Sequence, residues 1–360
     1  MIGELKLLGY RGFDCYRLSG LRRVNLLVGK NNSGKTSVLE AAHLLAAGDL
    51  PEALSRHIEA RRGKMPRRRL TGYNVIDILP VFTHHNISPG SLVDIQSQDT
   101  EVQFKVESMT NFPRSSFYDI LQSIDEDQSV ELPEFTVTIS RFSQNDSIGV
   151  FALSEAGLLF VPVGVRKNAL DMACKTQLLT SASLYPTDLQ VLWDNALRQN
   201  RENETVQVLQ TIQPDIGSIY FLSGSKTGVP EILVGSAQNG SRVPLDSFGE
   251  GMRRLLALSL SLSDCADGLL FVDEIDTGLH WTVMEDLWRV VISAARDGNV
   301  QVFATTHSYD CVKGLASLLE RDPELAEEVS LQKLERRLDE AVALRGEQIP
   351  IAVSHNIELR

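Results

Sequence analysis

The run from Gly29 to Thr36, "GKNNSGKT", carries every fixed position of a phosphate-binding turn, G-x-x-x-x-G-K-[ST]. Each residue type has a physical reason. Glycines let the backbone curl with its N–H groups facing inward, and the following helix adds the positive end of its dipole. A lysine at position 35 reaches the outer phosphates, and the Thr36 hydroxyl is a ligand suited to Mg²⁺. Asn31, Asn32, Ser33, Gly34, Lys35, Thr36 and Ser37 are therefore the candidate contacts for ATP.

Such a turn needs an acidic partner. "LLFVDE" (269–274) ends in Asp273, placed to complete the Mg²⁺ shell, and Glu274, placed to polarise an attacking water as general base. The later run "VFATTHS" brings His307 to another strand end, where it would face the outermost phosphate. A second glycine turn, "FGEGMRR", stands ahead of a long apolar run and more than two hundred residues after the first. Gly249 and Gly251 there open a helix expected to start near Met252. One nucleotide needs one such seat, so the second turn either points elsewhere or is an ordinary glycine-rich helix start.

These groups have to be held by strands and helices, and the ends of the chain supply them. "VNLLVG" (24–29) is a continuous apolar run, as in a strand covered on both faces, and "KTSVLEAAHLLAA" follows with helical spacing. "GLLFVDE", "WTVMEDLWRVVISAA" and "VQVFATTH" repeat the alternation as strand, helix, strand, which implies a parallel sheet. Between the two blocks, "EVQFKVES", "FTVTISRF", "IGVFALS" and "LLFVPVG" alternate as antiparallel strands do. From Thr187 the pattern becomes helical, with Leu189, Leu192, Trp193, Ala196 and Leu197 on one face. A second helix runs through Val206, Leu209 and Ile212 to Pro214.

A chain of 360 residues with a formal net charge of -12 should repel nucleic acid over most of its surface. The exception is "RHIEARRGKMPRRR", with Arg61, Arg62, Lys64, Arg67, Arg68 and Arg69. It reads as a DNA patch, a contact for an acidic protein, or a solvated loop; no aromatic residue interleaves for base stacking. His84 and His85 lack metal-ligand spacing and read as structural. Cys15, Cys174, Cys265 and Cys311 lie far apart, and neither a signal-peptide pattern nor an apolar run of about 18 residues is seen. A cytoplasmic protein without a membrane partner is expected.

"GYRGF", "GKNNSGKTS", "FGEGMRR", "LLFVDEIDTGLH" and "VFATTHS", in that order, resemble ABC-type ATPases of the SMC/RecF group, and within it the OLD (overcoming-lysogenisation-defect) family. The resemblance covers about the first fifty residues and the stretch from Pro244 to Tyr309. It implies an α/β P-loop NTPase of ABC-ATPase head type, with a mixed central sheet, an antiparallel β subdomain and a helical insertion. The layout would be one domain in lobes 1–180, 181–243 and 244–360. It also implies that two heads face each other as a homodimer or higher homo-oligomer, the signature turn of one (Ser247, Gly249, Gly251) covering ATP on the other. Arg11 would approach the phosphates, Asp276 would lie in the loop linking the two sites, and His307 would be the switch histidine.

Several residues depart from that pattern. The signature serine is missing unless Ser247 takes its part, and Glu250 sets a carboxylate near phosphate unless Arg253, Arg254 or Mg²⁺ offsets it. Slow or partner-dependent hydrolysis is expected. The glutamine that links the insertion to Mg²⁺ has only Gln96 and Gln98 as candidates. With 53 residues after His307, no nuclease domain of the OLD type is expected. The destructive activity would then belong to a separate effector, a nuclease or toxin, as in two-component phage-defence systems of the PARIS or Septu kind. A RecF-like DNA-repair factor is the alternative, and a transporter's nucleotide-binding subunit the third.

Overall fold

The computed structural model describes residues 1–62, 68–70, 73–109, 133–142, 146–162, 174–181, 184–222 and 230–359. Strands β1 (Leu5–Tyr10) and β2 (Phe13–Leu18) form a hairpin whose turn is Arg11–Gly12. The apolar run before the phosphate turn is β3 (Val24–Val28), and the turn opens helix α1 (Lys35–Ala46), followed by α2 (Leu50–Arg62). Seven strands come next: β4 (Arg68–Leu70), β5 (Tyr73–Asp77), β6 (Leu92–Gln96), β7 (Glu101–Ser108), β8 (Pro133–Arg141), β9 (Asp146–Ser154) and β10 (Leu158–Pro162). The hairpin joins them in a nine-stranded antiparallel sheet of order β2-β1-β6-β7-β8-β9-β10-β5-β4. The antiparallel sheet is thus built from both the start of the chain and the insertion. Period-two burial shows why: Val102, Phe104 and Val106 of β7 are fully buried while their neighbours are not.

After β11 (Thr176–Leu179) come helices α3 (Pro186–Arg198) and α4 (Glu202–Gln210). The second helix stops before Ile212, which the spacing had included; the chain turns there ahead of Pro214. A small antiparallel sheet follows, β12 (Ile216–Leu222), β13 (Glu231–Ser236) and β14 (Arg242–Pro244). Then α5 (Glu250–Asp264), β15 (Leu269–Val272), α6 (Met284–Asp297), β16 (Gln301–Thr305), α7 (Tyr309–Arg321), β17 (Val329–Lys333), β18 (Val342–Arg345) and α8 (Gln348–Ser354) complete the chain.

The central sheet has the order β11-β15-β16-β3-β17-β18, parallel throughout except for β18. β15, LLFV, is an unbroken apolar run covered on both faces, while the buried polar side chains of β3 and β17, Asn25, Ser330 and Gln332, hydrogen-bond one another. Val24, Leu26 and Val28 of β3, with Leu270 and Val272 of β15, pack against α5, α6 and α7. Leu27 and Phe271 face the opposite way, onto α1. That helix lies between the two large sheets, against β15 and β16 on one side and β6 and β7 on the other. Leu359, beyond α8, is 2% exposed and belongs to the main core. Among the described residues no helix is long and apolar enough to cross a membrane.

Candidate functional site

The parallel order of β15, β16 and β3 brings three strand ends to one edge of the sheet. There the phosphate turn, Asp273–Glu274 and Thr305–His307 meet, although more than 200 residues of sequence separate the first from the others. Gly34 sits at φ 100° as the residue before α1, and a Cβ there would fall 2.3 Å from Phe13 Cζ, so only glycine fits. Lys35 is buried and its Nζ donates to the carbonyls of Gly29 (2.7 Å) and Lys30 (3.0 Å). Burial lowers its pKa to about 8, against the opposing attraction of Asp273 and Glu274. Ser33 Oγ is buried with no partner among the described residues, as expected of a hydroxyl that meets a phosphate.

Thr36 Oγ1 lies 3.2 Å from Asp273 Oδ1, so the two hard oxygen donors assigned to Mg²⁺ are adjacent and of the type that ion requires. Thr305, at the end of β16, donates its hydroxyl to Asp273 Oδ1 (2.6 Å) and accepts from the Glu274 N–H (2.8 Å). Those bonds hold Glu274 in a left-handed backbone, φ 51°, a strained setting for a non-glycine residue at the proposed general base. His307 Nε2 is 3.9 Å from Glu274 Oε1, and both side chains are accessible. Thr306 donates to Asp276 Oδ1 at 2.6 Å, tying the linking loop to the same strand end.

A cavity of about 650 Å³ opens over the phosphate turn. It is walled by Asn32 to Ser37, by Arg11, Gly12 and Asp14 of the first hairpin, by the 83–85 turn, by His307, and by Arg61 and Arg336. Arg11 pairs with Glu40 of α1 (2.8 Å), and Arg61 donates to both oxygens of the same carboxylate at 2.9 Å. Glu40, which no motif singled out, therefore gathers two guanidinium groups at the phosphate end. Arg61 belongs to this cluster rather than to a free basic patch. Of the other patch residues, Lys64 and Arg67 lie outside the described residues, Arg62 ends α2, and Arg68 and Arg69 stand on β4.

The signature turn lies apart from this cavity: Ser247, Gly249 and Gly251 are absent from its wall. Ser247, Gly249 and Glu250 are exposed, and α5 begins at Glu250, two residues before the expected start. A Cβ on Gly251 would meet the Gly278 carbonyl oxygen at 2.5 Å, so the signature turn and the linking loop share one surface. Both arginines named as offsets for Glu250 make hydrogen bonds elsewhere, and Arg254 also lies within electrostatic reach of Glu250. Arg253 pairs with Asp246. Arg254 is 1% exposed and donates to the carbonyls of Thr180 (2.6 Å), Asp273 (2.6 Å) and Glu274 (3.2 Å). It is an internal brace for the acidic strand end. Gln96 and Gln98 are also corrected, since Gln96 binds Asp94 while Gln98 binds the backbone of Met1, Gly3 and Glu4. Neither reaches the cavity wall.

A mixed sheet whose central parallel strands carry the phosphate turn, the acidic pair and the threonine–histidine end has the layout of an α/β P-loop ATPase fold. Residues 175–310 match the family model described as "AAA domain, putative AbiEii toxin, Type IV TA system". Over 357 residues the chain is 22% identical to an "ATP/GTP phosphatase" of Helicobacter pylori, covering 92% of this chain and 91% of that protein. A segment of 47 residues is 49% identical to the DNA replication and repair protein RecF of Acinetobacter baylyi, 13% of either chain. Among solved structures, the Smc head bound to the C-winged helix domain of ScpA covers 96% of this chain and 97% of its own, with TM-score 0.49 and 12% identity. The chain is thus similar to AAA-type P-loop ATPases over residues 175–310 and, in a short segment, to RecF.

Proposed function

We propose that this chain binds and hydrolyses ATP, that two or more copies pair through their ATP sites, and that pairing gates a separate effector, a nuclease or toxin, in a cytoplasmic antiviral complex. The observation that carries the reading is the split between the two glycine turns. The cavity over Lys35 is walled without Ser247, Gly249 or Gly251; Ser247 and Gly249 are exposed, and the half-buried Gly251 abuts the exposed Gly278. A seat for phosphate that cannot serve its own chain suits a second copy.

Within the site, Lys35, Arg11 and the N-terminus of α1 bind the phosphates and Glu274 takes a proton from the attacking water. His307 holds the outer phosphate from the opposite side. Mg²⁺, when bound by Thr36 and Asp273, screens the phosphate charge. The family description, which names a putative toxin of a toxin–antitoxin system, supports a place in defence. The short RecF match supports the second reading, an ATP-dependent DNA-repair factor.

Glu274→Gln separates binding from hydrolysis. It should retain ATP, lose about 10²–10⁴-fold in hydrolysis, and elute from a sizing column as a larger species with ATP than without. An unchanged elution volume with ATP demonstrably bound would overturn the paired-head reading.

A further inference from the structure

Beyond the phosphate end, the cavity has a second wall that no nucleotide motif describes, and three separate segments build it. The 83–85 turn is stapled to the first hairpin by the Arg11 N–H to Val81 carbonyl bond (2.8 Å) and by the Thr83 hydroxyl donating to the Phe13 carbonyl (3.4 Å). In that turn His84 and His85 are both left-handed, at φ 59° and 51°, and His84 Nε2 stands 3.5 Å from Asp14. Two adjacent non-glycine residues in this conformation are costly, and such strain persists where surrounding contacts impose it.

The third segment is the loop between β17 and β18. The Leu334 N–H donates to the Val28 carbonyl at 2.8 Å, so this loop leaves β17 beside the start of the phosphate turn. Leu334 is 1% exposed, and the next residue's N–H donates to the buried Tyr16 hydroxyl at 3.2 Å, which fixes the direction of exit. Arg336 is thereby carried over the turn, where Nη2 donates to Asn32 Oδ1 at 3.2 Å. Gly12 leaves room for it: a Cβ at that position would fall 2.9 Å from Arg336 Nη2.

Resting on the ATP-binding reading, we infer that this wall is the seat of the nucleobase, with the Arg336 guanidinium as its stacking plane. Among the described residues no Phe, Tyr or Trp lines the cavity, and the flat groups on its described wall are guanidinium and imidazole. Both stack on bases, and an arginine plane adds cation–π attraction. Asp14 is the one carboxylate on the described wall, and it supplies an acceptor for base or ribose hydrogens beside the imidazoles of His84 and His85. The phosphates are held by Lys35 and its neighbours, so the wall reads the part of the ligand that inorganic phosphate chains lack.

The test compares ATP with inorganic tripolyphosphate by titration calorimetry on the full chain. Arg336→Lys keeps the charge and loses the plane. It should weaken ATP about tenfold, the loss of one base stack, and leave tripolyphosphate within about twofold. The double change His84→Ala with His85→Ala should show the same split. Equal weakening of both ligands would make Arg336 a phosphate contact and overturn the inference, as would unchanged ATP affinity in a protein whose wild type binds ATP. Should the wild type bind neither ligand, the ATP-binding reading falls first and this inference with it.

Discussion

The Thr305 hydroxyl lies 2.6 Å from Asp273 Oδ1 and, through its remaining lone pair, 2.8 Å from the backbone nitrogen of Glu274. One side chain on β16 thus orients both the Asp273 carboxylate, proposed for Mg²⁺ just past β15, and the strained residue that follows it. Thr305→Val keeps the shape and removes both bonds. We expect ATP to bind and turnover to fall about 10–100-fold, the range for loss of a group that orients a metal ligand. Steady-state hydrolysis alongside nucleotide titration checks it; an unchanged kcat would show that Glu274 holds its position without Thr305.

Lys35 gives a pH dependence with a definite sign. Its pKa is lowered to about 8 by burial, and phosphate favours the charged ammonium, so ATP binding raises it. Affinity is therefore complete below pH 8 and declines above it, by up to about tenfold per pH unit, with one proton taken up on binding. Calorimetry at pH 7, 8 and 9 in buffers of different ionisation enthalpy measures that uptake. Binding with no proton uptake above pH 8 would contradict it.

Arg254 is buried with its guanidinium spent on three carbonyl oxygens, two of them the carbonyls of Asp273 and Glu274. Arg254→Met removes the guanidinium's bonds to those carbonyls beside the acidic strand end, although the Glu274 carbonyl keeps the Thr277 N–H at 3.1 Å. A loss of about 3–5 kcal/mol is expected from urea unfolding, together with weakened hydrolysis. A variant of wild-type stability would show that water or a neighbour replaces the guanidinium.

The division between what was legible in the sequence and what was not follows from the range of the contacts. Gly34, Lys35 and Thr36 are dictated by one turn, and Val24–Val28 and Leu269–Val272 by burial on both faces, so their order along the chain announces them. Arg254, Glu40 and Arg336 act across space: Arg336 meets Asn32 over 304 residues of sequence. A helical arginine such as Arg61 has the same sequence appearance whether it faces solvent or, as here, a carboxylate 21 residues away on α1. No periodicity singled out the hairpin β1–β2, whose register pairs Leu7 with Ile95 and joins it to the antiparallel sheet. Strands this short specify pairing through their neighbours rather than through their own residues.

The pairing of heads can be tested without a structure of the pair. A Cβ on Gly251 cannot coexist with the Gly278 carbonyl 2.5 Å away, so Gly251→Ala must push the signature turn off the linking loop. The cavity over Lys35 is not walled by that turn, and ATP affinity should survive while hydrolysis is lost. Lys35→Ala has the complementary defect, an intact signature surface and no phosphate ligand. Mixed in equal amounts, two inactive proteins should form hybrids in which the intact phosphate turn of one faces the intact signature of the other. Random mixing gives about a quarter of the wild-type rate if each composite site works independently. A mixture as inactive as its parents, with subunit exchange shown by a tagged pull-down, would mean that each chain completes its own site.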